Sequence, residues 1–198
     1  MRVVAGILMA IGGNASAASA ATLLVADLTT PNRIEITATS GTSAATASGF
    51  DGVGVLLADF LGVAAPGNLS DSLLSGDITS AQNTADGTPN LFTSFGSFGL
   101  NLFSYTDDGS SSFVAGERAF SGSGVWTVNA ADYANAVNGP TSGSIFAFAD
   151  DDGDVPGATL IGEWQKAVVI PLPAGILTLA GALAGLGVLG ARRRRVGR

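Results

Sequence analysis

Cysteine and histidine are both missing from this 198-residue sequence. Without cysteine there is no disulfide, no thiolate nucleophile and no sulfur ligand for a metal. Without histidine the usual general base of serine and cysteine hydrolases is gone, together with the commonest metal ligand. Most hydrolase and metalloenzyme mechanisms fall with these two absences, and the expectation is a protein that is not an enzyme and has no resident cofactor. Basic residues are also scarce through the body of the chain. Of nine, Arg2 opens the sequence and Arg192, Arg193, Arg194, Arg195 and Arg198 close it, which leaves Arg33, Arg118 and Lys166 against sixteen acids. Between its ends the chain therefore carries a formal net charge of −13. Such a surface repels a phosphate backbone, which argues against nucleic acid as a partner, and it suits solubility or the capture of cations.

Apolar residues make up 46 % of the sequence and are concentrated in continuous runs at the two ends. Met1-Arg2 followed by Val3-Val-Ala-Gly-Ile-Leu-Met-Ala-Ile11 is a positive n-region and a short apolar h-region. Ala15-Ser-Ala17 and Ala18-Ser-Ala20 then offer two small-x-small cleavage sites. This is the secretory pattern, and the run is shorter than the about 20 residues a bilayer span needs. Residues 1–20 are expected to be a signal peptide, cleaved after Ala17 or Ala20, which leaves an exported domain over 21–167.

The opposite end, 168–198, has three parts in order. Ile170-Pro171-Leu172-Pro173-Ala174 comes first, then the uncharged stretch 174–191, then Arg192, Arg193, Arg194 and Arg195. As a helix, 174–191 would reach about 27 Å, close to the hydrocarbon thickness of a bilayer. Pro173 suits the first turn of that helix, and the arginines act as a stop on the cytoplasmic side. Pro171 and Pro173 push Ile170 and Leu172 into extended backbone and keep the helix from growing outward. An extended peptide at the lipid surface is the shape that a protease or transpeptidase cleft binds.

These residues resemble the VPLPA-type variant of the PEP-CTERM sorting tail, with Ile170 in place of the motif's valine. The resemblance implies an exosortase-like membrane enzyme as processing partner, with cleavage near the Pro-Leu-Pro motif. It also implies export through the inner membrane, a transient single-pass anchor with its C-terminus in the cytoplasm, and a destination at the cell surface or in an extracellular matrix. Extracellular polysaccharide is a further implied partner. Gly139-Pro-Thr-Ser-Gly-Ser-Ile-Phe-Ala-Phe-Ala149 and Val155-Pro-Gly-Ala-Thr-Leu-Ile-Gly-Glu-Trp164 are similar to a stretch in exported β-domains of PEP-CTERM proteins, which implies an architecture without an activity. A permanently anchored membrane protein is the plainer alternative.

The middle alternates apolar residues with Ser, Thr, Gly, Asn and Asp. Arg33-Ile-Glu-Ile-Thr-Ala-Thr39 places Ile34, Ile36 and Ala38 on one face, and the segment 98–105 does the same with Phe98, Leu100 and Leu102. Further strands are expected over 23–27, 53–60, 112–120, 125–129, 144–149 and 159–164. Short strands at this spacing predict a mainly β fold, a single antiparallel, jelly-roll-like β-sandwich flanked by the signal helix and the transmembrane helix. One short helix is predicted after Asn129 as N-cap, with Asp132 at the capping-box position and Asn138-Gly139-Pro140 as its stop. The polar segment 73–89 reads as loop.

Few residues in the middle invite chemistry. Asp150, Asp152 and Asp154 stand in the run Asp150-Asp-Asp-Gly-Asp154 and would suit Ca²⁺, which takes clustered carboxylate oxygens. An EF-hand register fails, because Gly153 at its sixth position puts Phe148 and Thr159 where carboxylates are required. A solvated turn between strands is the better account, as it is for Asp107-Asp108-Gly109. A glycosidase would need two facing carboxylates, and Glu35, Glu117 and Glu163 each fit the polar half of a strand pattern instead. Trp126, Trp164, Tyr105 and Tyr133 would make a sugar-stacking platform, although Trp126 between Val125 and Val128 reads as core. The resulting expectation is a non-enzymatic structural or adhesive surface protein, with a carbohydrate- or Ca²⁺-binding module as the alternative.

Overall fold

Alternation of side chains across a pleated backbone organises nearly every element of the domain. The structure, a computed structural model, describes residues 20–50, 52–82, 89–103 and 109–167. Outside them lie Ala17 and the rest of the expected signal segment up to residue 19, Tyr105, Asp107 and Asp108, and the tail from 168 with its Ile170–Ala174 motif, expected helix and arginine cluster. Among the described residues no helix is long and apolar enough to cross a membrane.

The fold is mainly β, as the sequence predicts, with one α-helix among the described residues. The first strands are β1 (Thr22–Asp27), β2 (Arg33–Ala38), β3 (Ala47–Phe50), β4 (Val55–Leu57) and β5 (Leu69–Asp71). Then come β6 (Ser75–Gly76), β7 (Thr79–Ser80), β8 (Asn90–Thr93), β9 (Leu100–Phe103) and β10 (Ser110–Phe113). The rest are β11 (Phe120–Ser121), β12 (Ser123–Thr127), the helix α1 (Ala130–Asn138), β13 (Ser142–Ala147) and β14 (Thr159–Lys166). Ten of the strands form one curled sheet in the order β5-β8-β9-β4-β13-β14-β1-β2-β12-β6. β10 pairs with β3 and β11 with β7 in two separate short ladders.

Within the ten-stranded sheet all pairings are antiparallel except one: β1 runs parallel to β14, with Leu24 opposite Trp164 and Ala26 opposite Lys166. This corrects the expectation of a purely antiparallel arrangement. Period-2 patterning reports which face a residue occupies and carries no information on strand direction. Here the entire intervening domain serves as the connection between the first and last strands, so no hairpin forces them to run in opposite directions.

The core fills the concave side. Ile34, Ile36, Leu57, Leu100, Leu102, Ile145 and Ile161 come from the sheet, and Phe113 and Phe120 come from the short ladders. Ring contacts tie it together, Phe60 to Trp164 at 4.9 Å between centroids and Phe113 to Phe120 at 5.2 Å. Both tryptophans are fully buried and satisfied: Trp126 Nε1 donates to Pro89 O and Trp164 Nε1 to Ala58 O, each at 3.0 Å. α1 begins where expected. The Asn129 side chain accepts from the N–H groups of Ala131 and Asp132, which satisfies two donors that the first turn leaves free.

Several elements depart from the sequence reading. The expected strand over 112–120 is two, β10 and β11, separated by a turn in which Gly116 has φ +81°. Segment 73–89, read as loop, contributes the two-residue strands β6 and β7, which are too short to leave a periodic signal. Phe98, expected inward with Leu100, precedes β9 and is 43 % exposed.

Candidate functional site

On the convex side of the sheet one row of side chains crosses five strands. Register places Phe92 of β8 beside Asn101 of β9, Asn101 beside Leu56 of β4, Leu56 beside Phe146 of β13, and Phe146 beside Leu160 of β14. Such a row would ordinarily be polar, because it faces away from the core. Leu56 is fully buried nonetheless, and it stands apart from the concave cluster. Gly99 closes over it so tightly that a Cβ there would lie 2.4 Å from Leu56 Cδ1.

The segment 148–158, between β13 and β14, covers part of this row. It leaves β13 through Phe148, whose φ of +61° is a left-handed conformation that bulky side chains rarely adopt. Phe148 N–H donates to Gly54 O at 2.9 Å, and its ring approaches Phe113 at 6.2 Å between centroids. The following residue, Ala149, is buried and accepts at 2.8 Å from Asn101 Nδ2. Further along, Asp152 Oδ2 accepts from Ser97 Oγ at 2.9 Å and from Phe98 N–H at 2.7 Å. The segment is thereby fastened to the sheet at β9 and to the β8–β9 connection.

Of the three aspartates singled out by sequence, Asp152 and Asp154 have separate hydrogen-bonding tasks, and Asp150 lines a concavity beside the segment. Asp152 is the fastening just described. Asp154 Oδ2 accepts from Asp150 N–H at 3.3 Å, which turns the chain back toward the short 3₁₀ turn Val155–Gly157. Asp151 Oδ1 accepts from Gly153 N–H at 2.7 Å. Among the described residues no group of three or more acidic side chains is placed to hold a metal ion.

Three concavities surround the segment. One, of about 210 Å³, is lined by Gly52, Val53, Phe92, Asn101, Phe103 and Asp150. Phe92 and Phe103 meet there edge to face, with centroids 6.2 Å apart and planes at 85°. A second, of about 370 Å³, lies beside Ala58, Asp59, Phe98, Phe146 and Asp152. The third, of about 270 Å³, runs along 94–97 and 151–153. The first contains a polar anomaly. Asn101 is 2 % exposed, yet its Oδ1 has no hydrogen-bond partner among the described residues. The sequence reading missed Asn101, because in Leu100-Asn-Leu-Phe103 it looks like the solvated half of an alternating strand.

The glutamates named for a glycosidase are not assembled into a pair. Glu35 is opposite Asp27 at one end of β1 and Glu163 is opposite Thr22 at the other, so roughly 16 Å of strand separates their levels, well beyond the spacing of paired catalytic carboxylates. Glu117 is exposed in the turn after β10. Two other groups have shifted titration. Asp71 is raised above the usual carboxylate range, first by burial and then by the nearby charge of Asp132. Lys166 is lowered to about 8 by burial. Its Nζ donates to the carbonyls of Phe60 and Ala136 and lies over the Phe60 ring at 5.1 Å and the Trp164 ring at 5.7 Å.

No family model, curated protein or solved structure matches this chain.

Proposed function

We propose that this chain is an exported surface or extracellular-matrix protein with a structural or adhesive rather than catalytic role, delivered by its two ends. Residues 1–20 direct it across the inner membrane. The tail 168–198 holds it there, C-terminus in the cytoplasm, until an exosortase-like enzyme cuts near Ile170–Ala174. The observation that carries this reading is the order Pro-Leu-Pro, uncharged stretch, arginine block at 170–195. The place where β14 ends supports it: the last strand stops at Lys166, so the motif follows the domain directly and no further described element stands between them. The absence of cysteine, histidine and paired glutamates in the exported part favours a binding or structural task.

The fold would serve such a role as a sandwich-like, jelly-roll-like shell, in which the β10–β3 and β11–β7 ladders form the second layer over the concave face. Phe113 and Phe120 in the core support that reading.

Mass spectrometry of the mature C-terminus tests the sorting claim. Wild-type protein expressed in a host that carries the processing enzyme should end near residues 170–174, and Pro171→Ala with Pro173→Ala should retain the full tail. A wild-type protein ending at Arg198 would reject sorting in favour of a permanent anchor.

A further inference from the structure

We propose that the 210 Å³ cavity bounded by Phe92, Phe103, Asn101 and Asp150 binds one ring of a neutral saccharide. The inference stands on this cavity alone and is independent of how the tail is processed.

It begins with the orphaned amide. Asn101 Nδ2 donates to Ala149 O, which fixes the orientation of the group, since the reverse would bring two oxygens together. Oδ1 is therefore an acceptor, closed to solvent and unpartnered among the described residues, on a residue that lines the cavity. A ligand whose entry opens the wall to this oxygen must supply an O–H or N–H. Asp150 lines the same cavity, and its carboxylate would offer further acceptor oxygens. The rest of the wall is apolar, made of Phe92, Phe103 and Val53. A ligand that satisfies all of this has hydroxyl donors around its edge and C–H groups on its faces, and a pyranose ring has both.

Charge selects among sugars. None of the described lining residues is basic, and the domain carries −13 between its ends, so uronic acids and sulfated or phosphorylated sugars are disfavoured. Chemistry on the sugar is disfavoured as well. A glycosidase of the usual kind needs two carboxylates across the bond, and Asp150 is the sole acid among the described residues lining this cavity. The cavity is also held in place at some cost. Phe148, two residues before Asp150, is in the left-handed region, and backbone strain of this kind gathers at ligand clamps and similar sites.

The test uses the full-length chain in detergent micelles, with saturation-transfer NMR and calorimetry against the disaccharides of glucose, galactose, mannose and N-acetylglucosamine, and glucuronate as the anionic control. At least one neutral sugar should bind, with saturation strongest on ring C–H protons, and glucuronate should not. Phe92→Ala and Phe103→Ala should each weaken binding about tenfold or more, with far-UV circular dichroism unchanged. Asp150→Asn, at the cavity wall, should weaken it less. The proposal is overturned if none of the neutral sugars binds, if glucuronate binds equally well, or if binding survives both Phe92→Ala and Asp150→Asn. A crystal structure showing a tightly held water bonded to Asn101 Oδ1 that persists in saturating sugar would overturn it too.

Discussion

Lys166 shows how much one cation can do in an acidic domain. It reaches from the last strand to the carbonyl of Ala136 in the final turn of α1, a helix with no basic residue of its own there. The ammonium thus meets the negative end of the helix dipole and two aromatic faces, while burial penalises its charge. Its folded pKa of about 8 lies below the ordinary 10.5. Between these values the unfolded chain holds more protons than the folded one, so stability should rise with pH across that window. Urea unfolding across the window should show the rise in wild type and its loss in Lys166→Met. Asp71 has the opposite sign. Its pKa is raised above 3.8, so the folded form holds the extra proton and stability falls as pH rises from 3.8 through the raised value. Asp71→Asn should flatten that segment of the stability curve and leave the protein at least as stable at neutral pH, measured the same way. Residue-level readings succeeded where one environment decided the matter. Trp126, flanked by valines, is indeed core. Asn101 escaped notice because burial on a convex face depends on a segment arriving from 48 residues further along the chain.

Among the elements, those with a self-contained signal were legible. β2 follows its alternation closely, β1 and β14 keep a strand signal although Leu23-Leu24 and Ile161-Gly162 are buried in succession, and the α1 start is set by Asn129 within its own turn. β3, β5 and β8 were not foreseen, because three or four residues mixing Ser, Gly, Asn or Asp with one or two apolar side chains become strands only when a neighbour supplies the ladder. The segment 148–158 was legible as an Asp-rich turn but not as a cover, since the partners of Asp152, Ser97 and Phe98, are 55 and 54 residues away. Asp152→Ala removes both bonds at once and should cost about 1–3 kcal/mol in urea unfolding. Amide exchange should speed up at Phe98 and through 149–154, while α1 stays protected. Equal deprotection of α1 would mean that the segment is part of the global unit and not a local cover.

At the scale of the whole molecule, period-2 alternation gave the mainly β class, and topology lay beyond it. Nothing in the 2-residue period indicates that the first and last strands lie side by side within the sheet. That placement predicts how truncation behaves. A chain ending at Ala158 lacks β14 and with it the buried Ile161 and Trp164, and it separates β13 from β1. It should show no cooperative urea transition, whereas a chain ending at Ala167 should retain one.

The same strand order bears on timing. A chain that enters the exterior amino end first presents β1 and β2 early, and one side of β1 must then wait with its backbone donors and acceptors open until β14 arrives. The ten-stranded sheet cannot be finished while its last strand is still inside a channel. On the proposed export route, threading would end before the fold locks, because β14 is the last strand to emerge and an interior strand of the sheet.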